Sequence, residues 1–382
     1  MTLLLGRRKF NLTLSQDYFL GILVAIPFSY PKEPLYWFGL SAFLLALPGL
    51  KIGKDATIRL VLVLLFLCMV IISNMISSYQ ESIQFFSIVG TFFTMSCFMF
   101  RYCLKSIDDF VSGFLLVAGI YTFLTFIAFL VLKPYQYGFD FFIESSYRMW
   151  AEGYLIEWPN VFCAFLVLGA YLNWIRCNGL LATLNILAAV LTTSRMAILA
   201  IAIFVLFLML RPKIASKAIS ISLVVLVVAV VAFLVASNNE MFLDYISRRL
   251  FKTSDRAFIF NDMVTVFVDN IFGVGNISFS VINELFVSYH SSFLKVLIRY
   301  GLPGFLIFLL LIAPRNPFWN PGARENAPIL FMLCIGLVQD MLLHIHLVIM
   351  YSVMLELRDA KMRTEGQRLT DKYSVEGYPR NE

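Results

Sequence analysis

The sequence predicts an all-α polytopic membrane protein with about twelve transmembrane helices, or about eleven on the alternative count. Hydrophobic residues make up 60% of the 382 residues and charged residues only 14%. A soluble domain is closer to half apolar and a quarter charged. Leu, Ile, Val and Phe also occur in long blocks, several of which approach the roughly 20 residues that cross a bilayer. Blocks of this kind are too extensive for one soluble core, so we expect them to lie in lipid.

The apolar blocks give the expected order of helices. They cover residues 18–30, 35–50, 60–76, 85–100, 110–132, 161–174, 180–191, 196–210, 219–236, 293–313 and 327–357. The last block is long for one helix and contains Gln339, Asp340, His344 and His346, so we expect two short or broken helices there. Residues 1–357 would form a single transmembrane domain. Residues 358–382 are charged and poor in apolar side chains, which predicts a partly disordered cytoplasmic tail.

Basic residues predict the orientation, because short cytoplasmic loops are enriched in Lys and Arg. With the N-terminus inside, alternating helices put most of these residues on the inner side: Arg7, Arg8, Lys9, Lys51, Lys54, Arg59, Arg101, Lys105, Arg176, Arg211, Lys213, Lys217, Arg315 and Arg324. Both termini are then cytoplasmic, and 133–160 and 237–290 are long outer loops. The first apolar run lacks a cleavage site and is expected to stay as a helix.

The net charge of +6 therefore reflects topology, and we expect no nucleic-acid partner. All six cysteines lie in or beside apolar blocks, which predicts neither a structural disulfide nor a cysteine-bound metal.

Three arginines, Arg148, Arg195 and Arg256, map to the outer side, where the orientation rule disfavours them. Each of them alone has an ordinary explanation, which is snorkelling or pairing with an acid. Together they suggest an anion site, because guanidinium groups bind phosphate oxygens in a bidentate manner. Arg248 and Arg249 lie in the same outer loop, and at least one of them is expected to be a solvated surface residue.

His290 immediately precedes the apolar block 293–313, with Ser291 or Ser292 as the expected N-cap. A lone histidine is usually structural. At a helix N-terminus that favours anions, and with an ordinary pKa near 6.5, this imidazole is a candidate for accepting a proton from a hydroxyl group.

Four motifs resemble the O-antigen ligase and polymerase superfamily of bacterial envelopes. They are Arg148-Met149-Trp150-Ala151-Glu152-Gly153 with Trp158-Pro159-Asn160; Thr192-Thr193-Ser194-Arg195-Met196-Ala197; Ser254-Asp255-Arg256 leading to Phe272-Gly273-Val274-Gly275; and His290-Ser291-Ser292-Phe293-Leu294 leading to Tyr300-Gly301-Leu302-Pro303-Gly304. Ser291 stands where the family usually has Asn. The four motifs span about 148–305, which is under half of the chain.

The resemblance implies a metal-independent, membrane-embedded glycosyltransferase of the C-type class (GT-C-like), without a cofactor, in the bacterial inner membrane and with a periplasmic active site. The donor would be a glycan on undecaprenyl pyrophosphate, and the acceptor another glycan or lipid A-core. Membrane lipids and a chain-length regulator are further expected partners.

The resemblance also implies roles for individual residues. His290 would activate the acceptor hydroxyl, Arg195 and Arg256 would hold the pyrophosphate, and Arg148 would assist them or orient the acceptor sugar. Gly273 and Gly275 would form a tight turn. The second-rank site candidates are Glu152, Asn160, Arg248, Arg249 and Glu284, of which the two glutamates are more naturally structural partners of the arginines.

Three alternatives remain open at this stage. A polymerase joins lipid-linked repeat units, a ligase transfers the finished chain to lipid A-core, and the shared motifs do not separate them; we favour the polymerase. A transporter of polysaccharide or lipid-linked sugar is the alternative from another class. Its strongest feature is the pair Asp340 and His344, four residues apart and therefore on one face of a helix if that segment is helical. A membrane scaffold gives no reason for the outer arginines.

Overall fold

The computed structural model describes residues 15–26, 33–76, 85–132, 159–191, 195–209, 266–276, 291–314, 324–338 and 340–375. Within these residues the fold is all-helical, with eleven α-helices of given bounds, a further helical stretch at 266–269 and no strand. The helices are α1 Gln16–Ala25, α2 Glu33–Ala46, α3 Lys54–Ile76, α4 Phe85–Ser96, α5 Ile107–Leu132, α6 Pro159–Ile175, α7 Gly179–Leu191, α8 Arg195–Met209, α9 Ser292–Ile312, α10 Asn326–Val338 and α11 Ile345–Val375. Short 3₁₀ turns occur at Leu47–Gly49, Cys97–Tyr102 and Asp340–Leu343.

The prediction of an all-α fold is confirmed for the described residues. In the described part of the chain three helices are long and apolar enough to cross a membrane: Lys54–Ile76, Ile107–Ala128 and Ser292–Ile312. Five shorter apolar helices accompany them. The expected block 219–236 lies outside the described residues. The block 327–357 contains two helices, α10 and α11, separated by the 3₁₀ turn.

Helix α3 illustrates how the sequence distinguishes the protein side from the outward side of a helix. Val63, Phe66 and Val70 are buried, at spacings of three and four residues. Ile58, Val61 and Leu65, also three and four residues apart, are about half exposed. Since residues three and four apart share a helix face, the two sets occupy opposite faces. An outward face made of Ile, Val and Leu is expected where the surrounding solvent is lipid.

Helices α3 and α9 pack antiparallel. Arg59, near the start of α3, donates to the carbonyls of Leu310 and Leu311 and to that of Ala313 (2.5 Å) at the end of α9. Further along α3, Met69 lies beside Gly304 of α9. The guanidinium of Arg59 therefore satisfies the carbonyls that every helix leaves without partners at its C-terminus.

Contacts among α6, α7 and α8 fix their directions. The Cys163 thiol lies 3.8 Å from the Ala189 carbonyl and Asn173 donates to Asn185 (3.0 Å), so α6 and α7 are antiparallel. Tyr171 donates to the Ala200 carbonyl at 3.0 Å, which places the C-terminal half of α6 along α8. One helical turn later in both helices, the Trp174 ring meets Phe204 at 4.5 Å, so α6 and α8 run in the same direction.

Helix α10 links this group to α9. Arg324, just before α10, donates to the Trp174 carbonyl at 2.8 Å, and Phe331 packs against Tyr171, so α10 runs antiparallel to α6. At the other end of α10, the Gly336 carbonyl accepts from the Ser291 hydroxyl at the start of α9 (3.4 Å). Helices α6, α8 and α9 therefore all begin at one end of the bundle. We call it the site end.

The opposite end, which we call the basic end, contains Arg59, Arg101, Arg176, Arg324 and Arg358. Several of these charges are buried and paired, as a buried charge requires. Arg101 and Asp359 are both 5% exposed and form an ion pair at 3.3 Å. Arg358, 2% exposed, donates to Asn326 at 2.8 Å. The boundary expected at residue 357 is therefore not a helix end, because these buried pairs hold α11 in the bundle beyond it and the helix continues to Val375.

Candidate functional site

Most of the side chains that the sequence singled out lie outside the described residues. This holds for Arg148, Glu152, Arg248, Arg249, Arg256, Glu284 and His290. Asn160 and Arg195 belong to the first turns of α6 and α8, where the helix is described but these two side chains are not. Their roles stay predictions. The helices that carry or adjoin them are described, and these define the frame of the site.

The start of α9 is fixed by two serines. Ser291 is the N-cap, with φ −122° and ψ 124°, and its hydroxyl accepts from the Leu294 amide at 3.4 Å. Such a cap satisfies one of the four amides left open at a helix N-terminus. Ser292, fully buried, accepts from the Leu342 amide at 3.0 Å. The N-cap is thus Ser291, one of the two residues expected, and His290 is the residue directly before it.

The contact between Ser292 and Leu342 brings a second polar segment to the start of α9. Helix α10 ends at Val338, and the 3₁₀ turn Asp340–Leu343 leads into α11 at Ile345. Asp340 and His344 were expected to share a face if one helix carried both. That condition fails, because Asp340 lies in the 3₁₀ turn and His344 follows it, before α11 begins. The segment is a break between helices at the site end, which weakens the feature that favoured a transporter.

Helix α9 is broken at Gly301, which has φ 67° and ψ −174°. The break leaves two carbonyls without their usual partners four residues on. The Leu302 amide turns away from Ile298 and donates to the Ile271 carbonyl at 2.9 Å, and Pro303 has no amide to offer Arg299. The segment 271–275 supplies replacements: Val274 donates to Ile298 and Gly275 to Arg299, both at 2.9 Å. The Gly-x-Gly segment therefore completes the backbone hydrogen bonding of the broken helix.

The glycines at this junction have positive φ angles, 90° at Gly273 and 75° at Gly275, as the expectation of a tight turn required. They also permit close contact. A Cβ on Gly273 would collide with the Arg299 carbonyl, and one on Gly275 would press on Asn74. A Cβ on Gly301 would collide with the Ile271 carbonyl. The two motifs that are far apart in sequence, Gly-x-Gly and Gly-x-x-Gly, thus interlock at one place.

Gly301→Ala is expected to disrupt this junction, because the new side chain combines a disfavoured φ with a collision against backbone that has no room to retreat. We expect a loss of about 2–4 kcal/mol in stability, in the range of severe single substitutions. Thermal unfolding of the purified protein in detergent measures it. Gly119→Ala is the matched control, because a Cβ there meets nothing within 4 Å. Equal unfolding temperatures for the two variants would contradict the interlocked junction.

Four polar side chains connect the junction to α3 and α4. The backbone amide of Asn276 donates to Asn74 Oδ1 at 2.8 Å. The Tyr300 hydroxyl donates to Asn276 Oδ1 at 2.8 Å and shares a hydrogen bond with Thr91 at 3.1 Å. Sequence reasoning missed this network. The sequence did contain one indication of it, because Asn276 directly follows Gly275 and Tyr300 directly precedes Gly301. Both residues therefore adjoin glycines of the family motifs.

Residues 180–309 match the family model described as O-antigen ligase. The match confirms the resemblance to the O-antigen ligase and polymerase superfamily. It covers about a third of the chain, including α7, α8, the Gly-x-Gly segment and nearly all of α9. Arg195, Arg256 and His290 fall inside it, whereas Arg148, Glu152 and Asn160 precede it. A search of curated proteins found no match to the chain.

The family match and the apolar helices together support a membrane protein of O-antigen or related polysaccharide biosynthesis. Members of the family are glycosyltransferase-like enzymes, either ligases or polymerases. Glycans and lipid-linked glycans are accordingly the general class of substrate of that family.

Proposed function

We propose that the protein is a polymerase that joins undecaprenyl-pyrophosphate-linked oligosaccharide repeat units into O-antigen or a related surface polysaccharide. The observation that supports this most directly is the common location of three helix starts. Asn160 lies in the first turn of α6, Arg195 opens α8, and His290 precedes the N-cap of α9, all at the site end. Helix N-termini favour anions, so three of them at one end suit a substrate with a pyrophosphate.

The proposed reaction is a displacement at the anomeric carbon of the donor glycan. His290 accepts the proton of an acceptor hydroxyl as its oxygen forms the new bond to that carbon. The bond from the same carbon to the pyrophosphate oxygen breaks, and undecaprenyl pyrophosphate leaves with the bonding electrons. Arg195 and Arg256 stabilise the negative charge that develops on the leaving group, and Arg148 assists them or orients the acceptor sugar. These fixed cations would serve where other glycosyltransferases use a divalent metal, which makes the reaction metal-independent.

The proposed orientation puts the site end in the periplasm and the basic end in the cytoplasm of a bacterial inner-membrane protein. It is supported by the position of Arg59, Arg101, Arg176, Arg324 and Arg358 at a single end of the bundle, as the positive-inside rule expects of the cytoplasmic side. Lipid-linked donor would then be used on the periplasmic face. A chain-length regulator would be a further partner there.

The second candidate function is ligation of the finished glycan to lipid A-core. The observation that favours it is the description of the matching family, which names the ligase. Both reactions use the same donor and the same leaving group, so the residues proposed above would serve either. They differ in the acceptor alone.

Deletion of the gene separates the two reactions. Without a polymerase, single repeat units are still transferred to lipid A-core, and we expect lipopolysaccharide with one repeat and no ladder on gels. Without a ligase, glycans accumulate on the lipid carrier, and the core remains unsubstituted. Extraction of the lipid-linked oligosaccharides measures the accumulating species directly. Long lipid-linked glycans in the deletion strain would contradict the polymerase assignment.

A further inference from the structure

Two buried side-chain donors lie beside the broken turn of α9 without a hydrogen-bond acceptor among the residues that the structure describes. Nδ2 of Asn276 and Nε of Arg299 are both buried, and within the described part of the chain neither has a hydrogen-bond partner. Asn276 itself is only 8% exposed. Buried donors are almost always satisfied in folded proteins, so two unmet donors at one junction are suited to an acceptor that a ligand supplies.

The orientation of the Asn276 amide follows from its neighbours. The Tyr300 hydroxyl donates to Asn276 Oδ1, so the oxygen of the amide faces Tyr300 and the NH₂ group faces away from it. With its proton committed to Asn276, the Tyr300 hydroxyl is the acceptor in its contact with Thr91. The chain Thr91–Tyr300–Asn276 thus holds the amide in one orientation and leaves two N–H bonds available.

One backbone hydrogen bond brings the backbone at Asn276 close to that of Arg299. The Gly275 amide donates to the Arg299 carbonyl at 2.9 Å, and Asn276 is the next residue after Gly275. Arg299 lies seven residues into α9, about 10 Å along the helix from Ser292. It is a permanently charged residue within an apolar helix long enough to cross a membrane. Arginine within such a helix marks a functional position by default, because its charge is costly in hydrocarbon without a partner.

We propose that Asn276 and Arg299 form an oxyanion subsite that binds a phosphate oxygen of a polyprenyl-linked substrate. Amide and guanidinium groups both donate and neither accepts through these atoms, so the ligand must offer oxygen acceptors and negative charge. The subsite lies about two helical turns from the site end, within an apolar span. Phosphate is therefore favoured over a sugar carboxylate, because a phosphate attached to a lipid chain reaches this depth whereas a sugar stays in water. The inference rests on the proposed function for the identity of the lipid, and it adds two residues to those named above.

The subsite would act on binding, since neither group gains or loses a proton in the proposed reaction. Loss of either donor should therefore raise the KM for the lipid-linked donor more than it lowers kcat. A residue that only maintained the fold would lower the amount of active protein instead, which changes apparent kcat at constant KM. The split between KM and kcat distinguishes the two roles.

Direct binding of a polyprenyl pyrophosphate to the full-length protein in nanodiscs tests the subsite without any need for turnover. Asn276→Asp keeps the oxygen that accepts from Tyr300 and replaces the amide donor by a carboxylate. Arg299→Gln removes the cation, and Arg299→Lys retains it. We expect the Kd to rise about tenfold or more in Asn276→Asp and Arg299→Gln, and less in Arg299→Lys. Arg176→Gln is the control, because Arg176 lies at the basic end and pairs with the exposed Asp108.

Wild-type binding by both Asn276→Asp and Arg299→Gln would overturn the subsite, and thermal unfolding of each variant shows whether the comparison is between folded proteins. If either variant fails to fold, Arg299→Lys decides the question. Wild-type affinity for the lipid in that variant, together with a Kd that does not change with ionic strength, would exclude a charge contact. Inorganic pyrophosphate and a uronic acid are run as competitors. Equal competition by inorganic pyrophosphate would overturn the lipid source, and competition by the uronic acid alone would overturn the phosphate assignment.

The same measurements separate this subsite from the proposed function. Arg299-dependent binding of the lipid pyrophosphate in a protein that forms no glycosidic bond would support the subsite and contradict the glycosyltransferase. Glycan transfer by the wild-type protein, with unaltered lipid binding in both variants, would support the glycosyltransferase and contradict the subsite.

Discussion

Replacing His290 by alanine is expected to reduce glycan transfer by about 10²- to 10⁴-fold, the range attributed to a positioned general base. His290 directly precedes Ser291, the N-cap of α9, so its backbone adjoins a helix start held by two serine hydrogen bonds. An imidazole there must be neutral to accept a proton. Glycan length on gels, at matched amounts of protein in the membrane, measures the loss.

The informative companion is His290→Gln, which keeps a hydrogen-bonding side chain of similar length but does not accept a proton at working pH. We expect it to be as inactive as the alanine variant. If glutamine restored most of the activity, the residue would orient the acceptor and would not act as its base. Full activity in His290→Ala would remove the general-base proposal altogether.

Replacing Arg195 or Arg256 by alanine is expected to lower the rate by about 10²- to 10³-fold each, comparable to the loss of one group that stabilises transition-state charge. Arg195 opens α8 at the site end, where the helix dipole adds to its positive charge. Lysine at either position keeps a point charge without the bidentate fork, so we expect partial activity. Release of undecaprenyl pyrophosphate by the purified protein measures the step.

Arg176→Ala provides the matched control for these arginines. Arg176 is at the basic end, where it pairs with Asp108 at 3.3 Å, and the Asp108 side chain is 88% exposed. Pairs this exposed contribute little to stability, and the residue is far from the proposed site, so activity should stay close to wild type. Wild-type activity in both Arg195→Ala and Arg256→Ala would contradict the pyrophosphate clamp.

Much of the fold was predictable because apolar blocks report directly on helices. The block 180–191 corresponds to α7 within one residue, and 196–210 corresponds to α8. The start of α3 was placed six residues late, at 60 instead of Lys54. Lys54, Asp55 and Arg59 interrupt the apolar pattern, yet they are helical, and the carbonyls at the end of α9 accept the hydrogen bonds of Arg59. Hydropathy does not reveal such a partner 251 residues away.

The break at Gly301 could not be predicted from the hydropathy pattern. The block 293–313 predicts one continuous helix, and the structure breaks it at Gly301 because Pro303 withholds an amide and segment 271–275 replaces it. The network of Asn74, Thr91, Asn276 and Tyr300 joins four segments distant in sequence, each unremarkable on its own. Long-range hydrogen bonds of this kind become visible only when the chain is folded.

Reconstitution of the purified protein with an undecaprenyl-pyrophosphate-linked repeat unit, in liposomes that contain a metal chelator, tests the central claim most directly. We expect glycans of two or more repeats on the lipid, with one undecaprenyl pyrophosphate released for each new glycosidic bond, and none of either with His290→Ala. Movement of the lipid-linked unit between leaflets without a new glycosidic bond would contradict the account.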